Sequence, residues 1–371
     1  MRFDIIIAGA GPVGCIIAQK CAAILKWKVL ILDKRDHIAG NCKDEYKHGV
    51  LVHTYGPHYF RTSNDDLLEY LSQFTEWIPG KYFVKSKVGK KLYPFPINLD
   101  TLELFFKKNF DSDSAQKFLD TKKVRNANPQ NSEEFVLSKV GTELYKSFYL
   151  GYTLKQWGMH PKDLSPSVCG RIPIRFNRDS RYVDSTHQLM PKDGYTEMYK
   201  KMIAHENITL MLEVDYFEAR QKHESKYATV YTGPIDTYFD YSLGKLPWRS
   251  LEFEFREYKQ EYKQECVQIN YPNETPYTRS VEAKHITGQK SDNTVICNET
   301  PVDNGDAYYP IPHKSSQDLY LDYEELAKEE TLNKHVYFAG RLATYKYINM
   351  DQAMESAFEM FDRIKSTHFD K

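Results

Sequence analysis

The chain has 371 residues, which is enough for two or three domains with a substantial buried core. Lysine plus arginine total 50 and aspartate plus glutamate total 51, so the formal net charge is −1. A protein that coats nucleic acid usually has an excess of basic residues, so we do not expect this chain to bind nucleic acid. The six cysteines are scattered without metal-ligand spacing, which predicts a reducing, cytoplasmic environment and no metal site. No run of about 18 apolar residues occurs, so we expect no membrane span.

The amino-terminal segment has the order of a dinucleotide-binding unit. Residues 3–8 form an apolar run suited to a buried parallel strand, and Gly9, Gly11 and Gly14 follow in G-x-G-x-x-G spacing. A helical segment comes next, and a second apolar strand ends in Asp33. The glycines allow a tight turn and the close approach of a pyrophosphate, while the acid can accept a hydrogen bond from a ribose hydroxyl. The motif alone leaves NAD and FAD open.

The middle of the chain is organised differently. Residues 100–165 carry apolar residues at helical spacing and predict a mostly helical segment. The stretches KVGKKLYPFPINL and LEFEFREYKQEYKQECVQINY show alternation and turn residues, which predicts antiparallel strands.

A basic run, RIPIRFNRDSRY, covers residues 171–182. It places Arg171, Arg175, Arg178 and Arg181 among apolar and aromatic residues, so its partner is nucleic acid, a phosphate or only solvent. Because the net charge of the chain is close to zero, we expect a small anionic ligand rather than a polymer.

The carboxyl-terminal stretch HVYFAGRLATYKYINMDQAMESAFEM favours FAD. It predicts a strand, a turn at Gly340-Arg341, a loop, and a helix that begins near Met350–Asp351 with free N–H groups for cofactor oxygens. The loop DKRDHIAGN after the second strand also resembles FAD-binding proteins.

We therefore expect an α/β fold, in which a Rossmann-like FAD-binding domain carries an inserted helical bundle and an antiparallel β-sheet. The predicted ranges are 1–78, 205–240 and 315–371 for the discontinuous FAD-binding domain, 100–165 for the helical substrate domain, and 79–99, 166–204 and 241–314 for the sheet domain.

Segments along almost the whole chain, from about residue 3 to 360, resemble the UDP-galactopyranose mutase family. The resemblance rests on YGPHYFRT (55–62), LYPFPINL (92–99), GYTLKQWG (151–158), RIPIRFNRDSRY (171–182), VYTGPIDTYFDY (230–241), PYTRSVEAKH (276–285), DAYYPI (306–311) and GRLATYKYINMD (340–351).

The resemblance implies a mutase that interconverts UDP-galactopyranose and UDP-galactofuranose for the synthesis of cell-surface polysaccharide precursors. In this family FAD has to be reduced, and the reaction passes through a flavin N5–sugar adduct without net redox change. The implied partners are a nucleotide-sugar substrate, a reductant such as NAD(P)H or a reductase, and a second copy of the chain in a homodimer.

The resemblance also implies roles for individual residues. Arg171 and Arg279 would be catalytic because they hold the departing diphosphate, with His58 beside the flavin ring. Arg175, Arg178 and Arg181 lack this support and are expected to be solvated or structural. The substrate-binding residues implied are Phe148, Tyr152, Trp157, Tyr182, Tyr309, Tyr347 and Asn349. The cofactor-binding residues implied are Gly9, Gly11, Pro12, Gly14, Asp33, Lys34, Asn41, Val214, Gly233, Arg341 and Asp351.

Several positions depart from the family pattern. Arg61 replaces a common histidine, Val183 stands where an aromatic residue is frequent, and Asn349 stands where many relatives have aspartate. The resemblance implies that Glu299 is the equivalent of a family glutamate. A mobile loop over roughly 160–177 is also implied, and the sequence leaves its open or closed position undetermined.

Because these departures lie where the sugar or base would be recognised, the sequence does not determine which nucleotide sugar is the substrate. The same mechanism on another nucleotide sugar, such as a dTDP-linked deoxy or amino sugar, is one alternative. An FAD-dependent oxidoreductase of the amine-oxidase kind is an alternative from another class. An inactive nucleotide-sugar-binding protein is a third, and the retained arginines argue against it.

Overall fold

The computed structural model describes residues 2–369 of the chain. The strands, in chain order, are β1 (Arg2–Ala8), β2 (Val29–Leu32), β3 (Asp44–Lys47), β4 (Val50–His53), β5 (Phe60–Thr62), β6 (Trp77–Pro79), β7 (Val84–Val88), β8 (Lys91–Phe95), β9 (His187–Pro191), β10 (Ile208–Met211), β11 (Glu224–Tyr231), β12 (Trp248–Tyr258), β13 (Gln268–Asn270), β14 (Arg279–Val281), β15 (Thr294–Val302), β16 (Tyr309–Pro310) and β17 (Val336–Phe338).

The α-helices are α1 (Pro12–Ile24), α2 (Asp65–Ser72), α3 (Leu99–Phe106), α4 (Ser112–Lys122), α5 (Ser132–Leu144), α6 (Gly151–Trp157), α7 (Ser167–Gly170), α8 (Tyr195–Met202), α9 (Tyr216–Ala219), α10 (Ile235–Tyr238), α11 (Lys284–Thr287), α12 (Lys314–Lys334), α13 (Gly340–Ala343) and α14 (Met350–Phe369). Single 3₁₀ turns occur at Gly40–Cys42 and Pro161–Asp163, and a π-helical turn occurs at Tyr145–Leu150.

A five-stranded parallel sheet forms the Rossmann-like part of the fold, in the order β10-β2-β1-β11-β17. Its central strands are continuous apolar runs because both faces are covered, and the side chains of Ile5, Ile7, Val29 and Ile31 are completely buried. Helices α1 and α14 pack against each other, so the two ends of the chain meet beside this sheet. The predicted α/β fold with a Rossmann-like unit is confirmed.

A second, seven-stranded sheet has the order β16-β12-β15-β14-β13-β7-β8. Neighbouring strands in it are antiparallel, as predicted, except for β13 and β7, which pair in parallel. The hairpin of β7 and β8 is separated from β13 by the whole helical segment, and such a long crossover allows a parallel pair where a hairpin does not. This one parallel pair corrects the expectation of a purely antiparallel sheet.

Helices α3 to α6 form the helical part of the chain. Gly141 interrupts α5 with a φ of 76°, and a Cβ atom there would lie 2.2 Å from the carbonyl oxygen of Lys122. The π-helical turn that follows changes the helical face just before α6 begins at Gly151. Among residues 2–369, no helix has the length and apolar character that crossing a bilayer requires.

Candidate active site

The turn between β1 and α1 has room only for glycine at two positions. Gly9 has a φ of +121°, and a Cβ atom there would lie 2.0 Å from Oγ1 of Thr232. A Cβ atom on Gly14 would lie 2.0 Å from the carbonyl oxygen of Gly9, so the helix packs directly on the turn. These two positions fulfil the steric roles that the motif predicts.

The amino terminus of α1 leaves space for a phosphate group. Gly11 is the N-cap of α1, Pro12 is its first residue, and the closest atom to a Cβ on Gly11 is the Cα of Gly40 at 3.8 Å. The first N–H groups of a helix lack intrahelical partners and attract anions. The backbone therefore fits the pyrophosphate of a dinucleotide.

Asp33 follows β2 beside this turn. Its carboxylate accepts hydrogen bonds from the backbone N–H groups of Ala10 (2.8 Å) and Arg35 (2.9 Å), which fixes its orientation. The backbone N–H of Val214 donates to the carbonyl oxygen of Asp33 (3.0 Å). Asn41 accepts from the Arg35 guanidinium at 2.8 Å. The neighbouring Lys34 is exposed.

The carboxyl-terminal element completes the cradle. Helix α14 begins at Met350, as the sequence predicts. In its first turn Oδ1 of Asp351 is buried and has no hydrogen-bond partner in the part of the chain that the structure describes, and burial raises the pKa of this carboxyl. Arg341 donates to the carbonyl oxygen of Ile348 (2.8 Å), and a Cβ atom on Gly233 would lie 2.6 Å from the Tyr231 hydroxyl. The unpartnered acceptor and the open backbone around Gly11 fit a bound dinucleotide cofactor.

A cavity of about 280 Å³ lies next to this cradle. The residues that the sequence assigns to catalysis and substrate binding all line it, although they come from six separate parts of the chain. They are His58, Phe148, Tyr152, Trp157, Arg171, Tyr182, Arg279, Tyr309, Tyr347 and Asn349. Arg341 lines the same cavity. Their individual roles stay predictions.

Arg279 is held in the cavity wall by a buried carboxylate. Its Nε donates to Oε2 of Glu299 at 2.6 Å, and the Glu299 side chain is 0% exposed. Because Nε makes this contact, the two terminal nitrogens of the guanidinium are left for a ligand. Burial raises the pKa of the Glu299 carboxyl, and the adjacent Arg279 opposes this rise. Within residues 2–369, Oε1 of Glu299 has no hydrogen-bond partner.

Arg171 lies at the end of α7 and is held differently. Its guanidinium hydrogen-bonds Oδ1 of Asn349, and its central carbon lies 4.2 Å from the ring centroid of Tyr347. The partner is a neutral amide and the arginine is exposed. Arg171 and Arg279, which both line the cavity, therefore differ in how firmly they are fixed.

The other three arginines of the basic run pair with carboxylates of the chain outside this cavity. Arg175 is buried, whereas the side chains of Arg178 and Arg181 are each 56% exposed. The pairs are Arg175–Asp184, Arg178–Asp100, Arg178–Glu103 and Arg181–Asp179. The run is therefore no collective anion-binding surface, and the structural or solvated character expected for these three is confirmed.

Aromatic side chains form much of the cavity lining. Trp157 is buried and meets the Tyr347 ring edge to face, at 5.2 Å between centroids, and Tyr309 meets Tyr347 in the same way at 5.6 Å. Burial raises the pKa of Tyr152, Tyr182 and Tyr309. These phenols are therefore neutral hydroxyl donors at physiological pH.

His58 is a neutral imidazole in this cavity. Its Nδ1 donates to the carbonyl oxygen of Gly56 (2.9 Å), and its backbone N–H donates to Nδ1 of His53 (2.9 Å). Burial lowers the pKa of His58 to about 3, and nearby His53 and Arg341 add to this effect. With Nδ1 as the donor, Nε2 is left as an acceptor.

Polar residues that the sequence analysis did not assign also line the cavity, and three of them form a hydrogen-bonded chain. The Tyr82 hydroxyl donates to Oε1 of Gln268 (2.5 Å), whose amide donates to Oδ1 of Asn270 (2.7 Å). The parallel pairing of β7 and β13 brings these residues together. The only local signal was the alternation of two polar residues, 268 and 270, along an otherwise apolar strand.

A larger cleft of about 1330 Å³ opens outside the cavity. Val183 and residues 162–168 line the cleft. The residues that line both spaces are Arg61, Val168, Arg171, Tyr347, Ile348 and Asn349. The contact between Arg171 and Asn349 therefore lies at the boundary between cavity and cleft.

The fold and this site together define a dinucleotide-binding α/β protein with an arginine- and tyrosine-lined pocket beside its cofactor cradle. A family model described as NAD(P)-binding Rossmann-like domain matches residues 7–74, and one described as UDP-galactopyranose mutase matches residues 147–347. The chain belongs to the UDP-galactopyranose mutase family.

Relatives and a solved structure match almost the full length. The chain is 37% identical to a probable UDP-galactopyranose mutase of Klebsiella pneumoniae, with 98% of this chain and 95% of the relative covered. It is also 37% identical to the dTDP-fucopyranose mutase of Escherichia coli, with 96% of both covered. A crystal structure of reduced UDP-galactopyranose mutase superposes with a TM-score of 0.76 at 15% identity, covering 99% of this chain and 94% of that one.

Proposed function

We propose that the protein is a flavin-dependent mutase that interconverts UDP-galactopyranose and UDP-galactofuranose, a precursor of cell-surface polysaccharide. The observation that carries the proposal is the pair Arg171 and Arg279 in one cavity beside a dinucleotide cradle. Two cations in a small cavity suit a diphosphate that both leaves and returns during the reaction. The full-length relatives named as mutases support the same activity.

FAD in its reduced form is the proposed cofactor. The cradle at Gly9, Gly11 and Gly14 would hold the pyrophosphate, Asp33 the ribose, and Asp351 with the first turn of α14 the ring system. When bound and reduced, the flavin supplies the nucleophile that displaces the diphosphate from the sugar.

The chain's own groups would bind, orient and stabilise the leaving group. Arg279, fixed by Glu299, would receive negative charge as the glycosidic bond breaks, which lowers the barrier more than it tightens ground-state binding. Tyr152 would stack on the base, worth about 1–3 kcal/mol. The neutral phenol of Tyr309 would donate to the diphosphate. Neutral His58 would accept a hydrogen bond at Nε2 near the reacting atoms.

A dTDP-linked deoxy sugar is the second candidate substrate. The dTDP-fucopyranose mutase relative is as similar to this chain as the probable UDP-galactopyranose mutase, at 37% identity each. Both relatives are named as mutases, so the equal sequence identities do not decide which base the nucleotide sugar carries or whether the sugar has a hydroxyl at C6.

The test is turnover by dithionite-reduced holoenzyme on UDP-galactose, dTDP-fucose and related nucleotide sugars, with pyranose and furanose forms separated by chromatography. A mutase produces an equilibrium mixture of the two forms and uses far fewer electrons than it makes product. Substrate-dependent reduction of oxidised flavin, with one hydride consumed per product, would instead show the oxidoreductase alternative.

Three further properties complete the proposal. A homodimer is expected from the family resemblance and is measured by light scattering. NAD(P)H or a reductase would keep the flavin reduced. A cytoplasmic location is supported by the cysteines, all six of which are buried free thiols. The division into a cofactor domain, a helical domain and a sheet domain is likewise proposed with the ranges given above.

A further inference from the structure

Two arginines at the mouth of the cavity share one acceptor atom. Oδ1 of Asn349 accepts from Nη2 of Arg61 at 2.9 Å and also from Nη2 of Arg171. Arg61 lies on β5, whereas Arg171 lies at the end of α7. Asn349 therefore connects three separate parts of the chain at the boundary between the cavity and the outer cleft.

The backbone of Asn349 is fixed independently of this contact. Its N–H donates to Oε1 of Gln352 (2.9 Å), and its carbonyl oxygen accepts from the N–H of Ala353 (3.0 Å) in the first turn of α14. These hydrogen bonds fix the backbone of Asn349 at the start of α14, so the position from which its side-chain amide extends is fixed. The segment that carries Arg171 is held at its other end by α5, where Ser132 donates to the carbonyl oxygen of Ser165 (2.6 Å).

The chemistry of the acceptor determines how easily it is displaced. A hydrogen bond from a guanidinium to a neutral amide is weaker than a charge-assisted pair, and a diphosphate offers Arg171 the stronger, bidentate kind. Arg279 shows the opposite arrangement, because its partner Glu299 is a fully buried carboxylate and is not among the residues that line the cavity. Arg279 therefore keeps its partner when a ligand binds, whereas the partner of Arg171 can be replaced by an anionic ligand.

We propose that Asn349 is a positioning residue, which holds Arg171 over the cavity mouth in the ligand-free protein and yields it to the diphosphate of the entering substrate. Arg61 keeps the amide oriented during the exchange. This inference rests on the proposed function, because it takes a nucleoside diphosphate as the ligand. It differs from the sequence-based expectation that Asn349 binds substrate directly.

The two roles predict different effects on binding of UDP to the holoenzyme, measured by titration calorimetry. If Asn349 is displaced by the ligand, Asn349→Ala and Asn349→Ser change the Kd of UDP by no more than about threefold. If Asn349 is a direct ligand, both variants weaken binding by more than that, which overturns the proposal. Asn349→Asp should raise the Kd at least tenfold, because the diphosphate then has to displace a carboxylate from Arg171. An unchanged Kd in this variant also overturns the proposal.

A second readout separates tethering of Arg171 from simple repulsion between an added carboxylate and the ligand. Trypsin cleavage after Arg171 in ligand-free holoenzyme should be several times faster in Asn349→Ala and slower in Asn349→Asp, with UDP protecting the wild type. Equal cleavage rates in all three proteins overturn the proposal. Gln317→Glu, which adds the same charge on the exposed wall of the outer cleft, is the matched control and should leave both readouts within threefold.

Failure of the proposed function gives a different result. A wild-type protein that binds neither UDP nor dTDP contradicts the function itself. A wild-type protein that binds one of them, with variants that show none of the expected differences, contradicts only the role of Asn349.

Discussion

Replacement of Arg279 by methionine should destabilise the fold and abolish turnover for two separable reasons. Methionine keeps most of the aliphatic volume of the side chain but removes its charge. The partner Glu299 is 0% exposed, and its Oε1 already lacks a hydrogen-bond partner, so the variant leaves a carboxylate buried without compensation. Removing one member of a buried ion pair costs about 3–5 kcal/mol. Loss of the contact to the departing diphosphate should slow turnover by about 10²–10³.

The stability loss should depend on pH with a definite sign. Burial already raises the pKa of Glu299, and the variant removes Arg279, the cation that opposes this rise. A carboxyl with a raised pKa in the folded state supports folding while it is protonated, and this support disappears as pH rises through that pKa. The variant should therefore lose stability relative to wild type as pH rises above the ordinary glutamate pKa of about 4.3, by at most about 1.4 kcal/mol per pH unit, until the raised pKa is passed.

The double variant Arg279→Met/Glu299→Gln distinguishes the two effects. Glutamine removes the uncompensated charge, so urea unfolding followed by tryptophan fluorescence should show at least about 2 kcal/mol of stability regained and a flat pH dependence. Turnover should stay as low as in the single variant. If Arg279→Met is as stable as the wild type at pH 8, the buried-pair argument is refuted. If the double variant recovers turnover, the role of Arg279 in catalysis is refuted.

The remaining predictions concern the second arginine, the cofactor cradle and a buried histidine. Arg171→Ala should reduce turnover by about 10²–10³, whereas Arg178→Ala, whose partners are surface carboxylates, should cost less than about tenfold. Wild-type protein should be yellow with bound FAD, and Gly14→Ala should be colourless after purification, because its Cβ would lie 2.0 Å from the carbonyl oxygen of Gly9. Burial lowers the pKa of His53 from 6.5 to about 4, so the unfolded chain takes up this proton first and stability falls as pH drops. The loss between pH 6.5 and 5 should be about 1.6 kcal/mol, and His53→Asn should abolish that part of the pH dependence in urea titrations.

Features that depend on neighbouring residues were predictable from the sequence. The turn at Gly9 and Gly14, the acid at Asp33 and the start of α14 at Met350 follow from local backbone sterics and from the order of strand, turn and helix. Local geometry is fixed by residues adjacent in the chain, so the same motif produces the same cradle wherever it occurs. The amino-acid sequence was therefore sufficient to predict the Rossmann-like unit and the glycine turn between β1 and α1.

Only the tertiary structure decided what each charged or polar side chain meets. Arg171 and Arg178 lie in one short basic run, yet the first faces the cavity while the second pairs with carboxylates of α3, more than 70 residues earlier. Tyr82, just before β7, and Gln268 on β13 are 186 residues apart in the chain, and they meet in the cavity because β7 and β13 pair in parallel. No local pattern specifies such partners, since the pairing depends on how distant strands and helices pack once their apolar faces are buried.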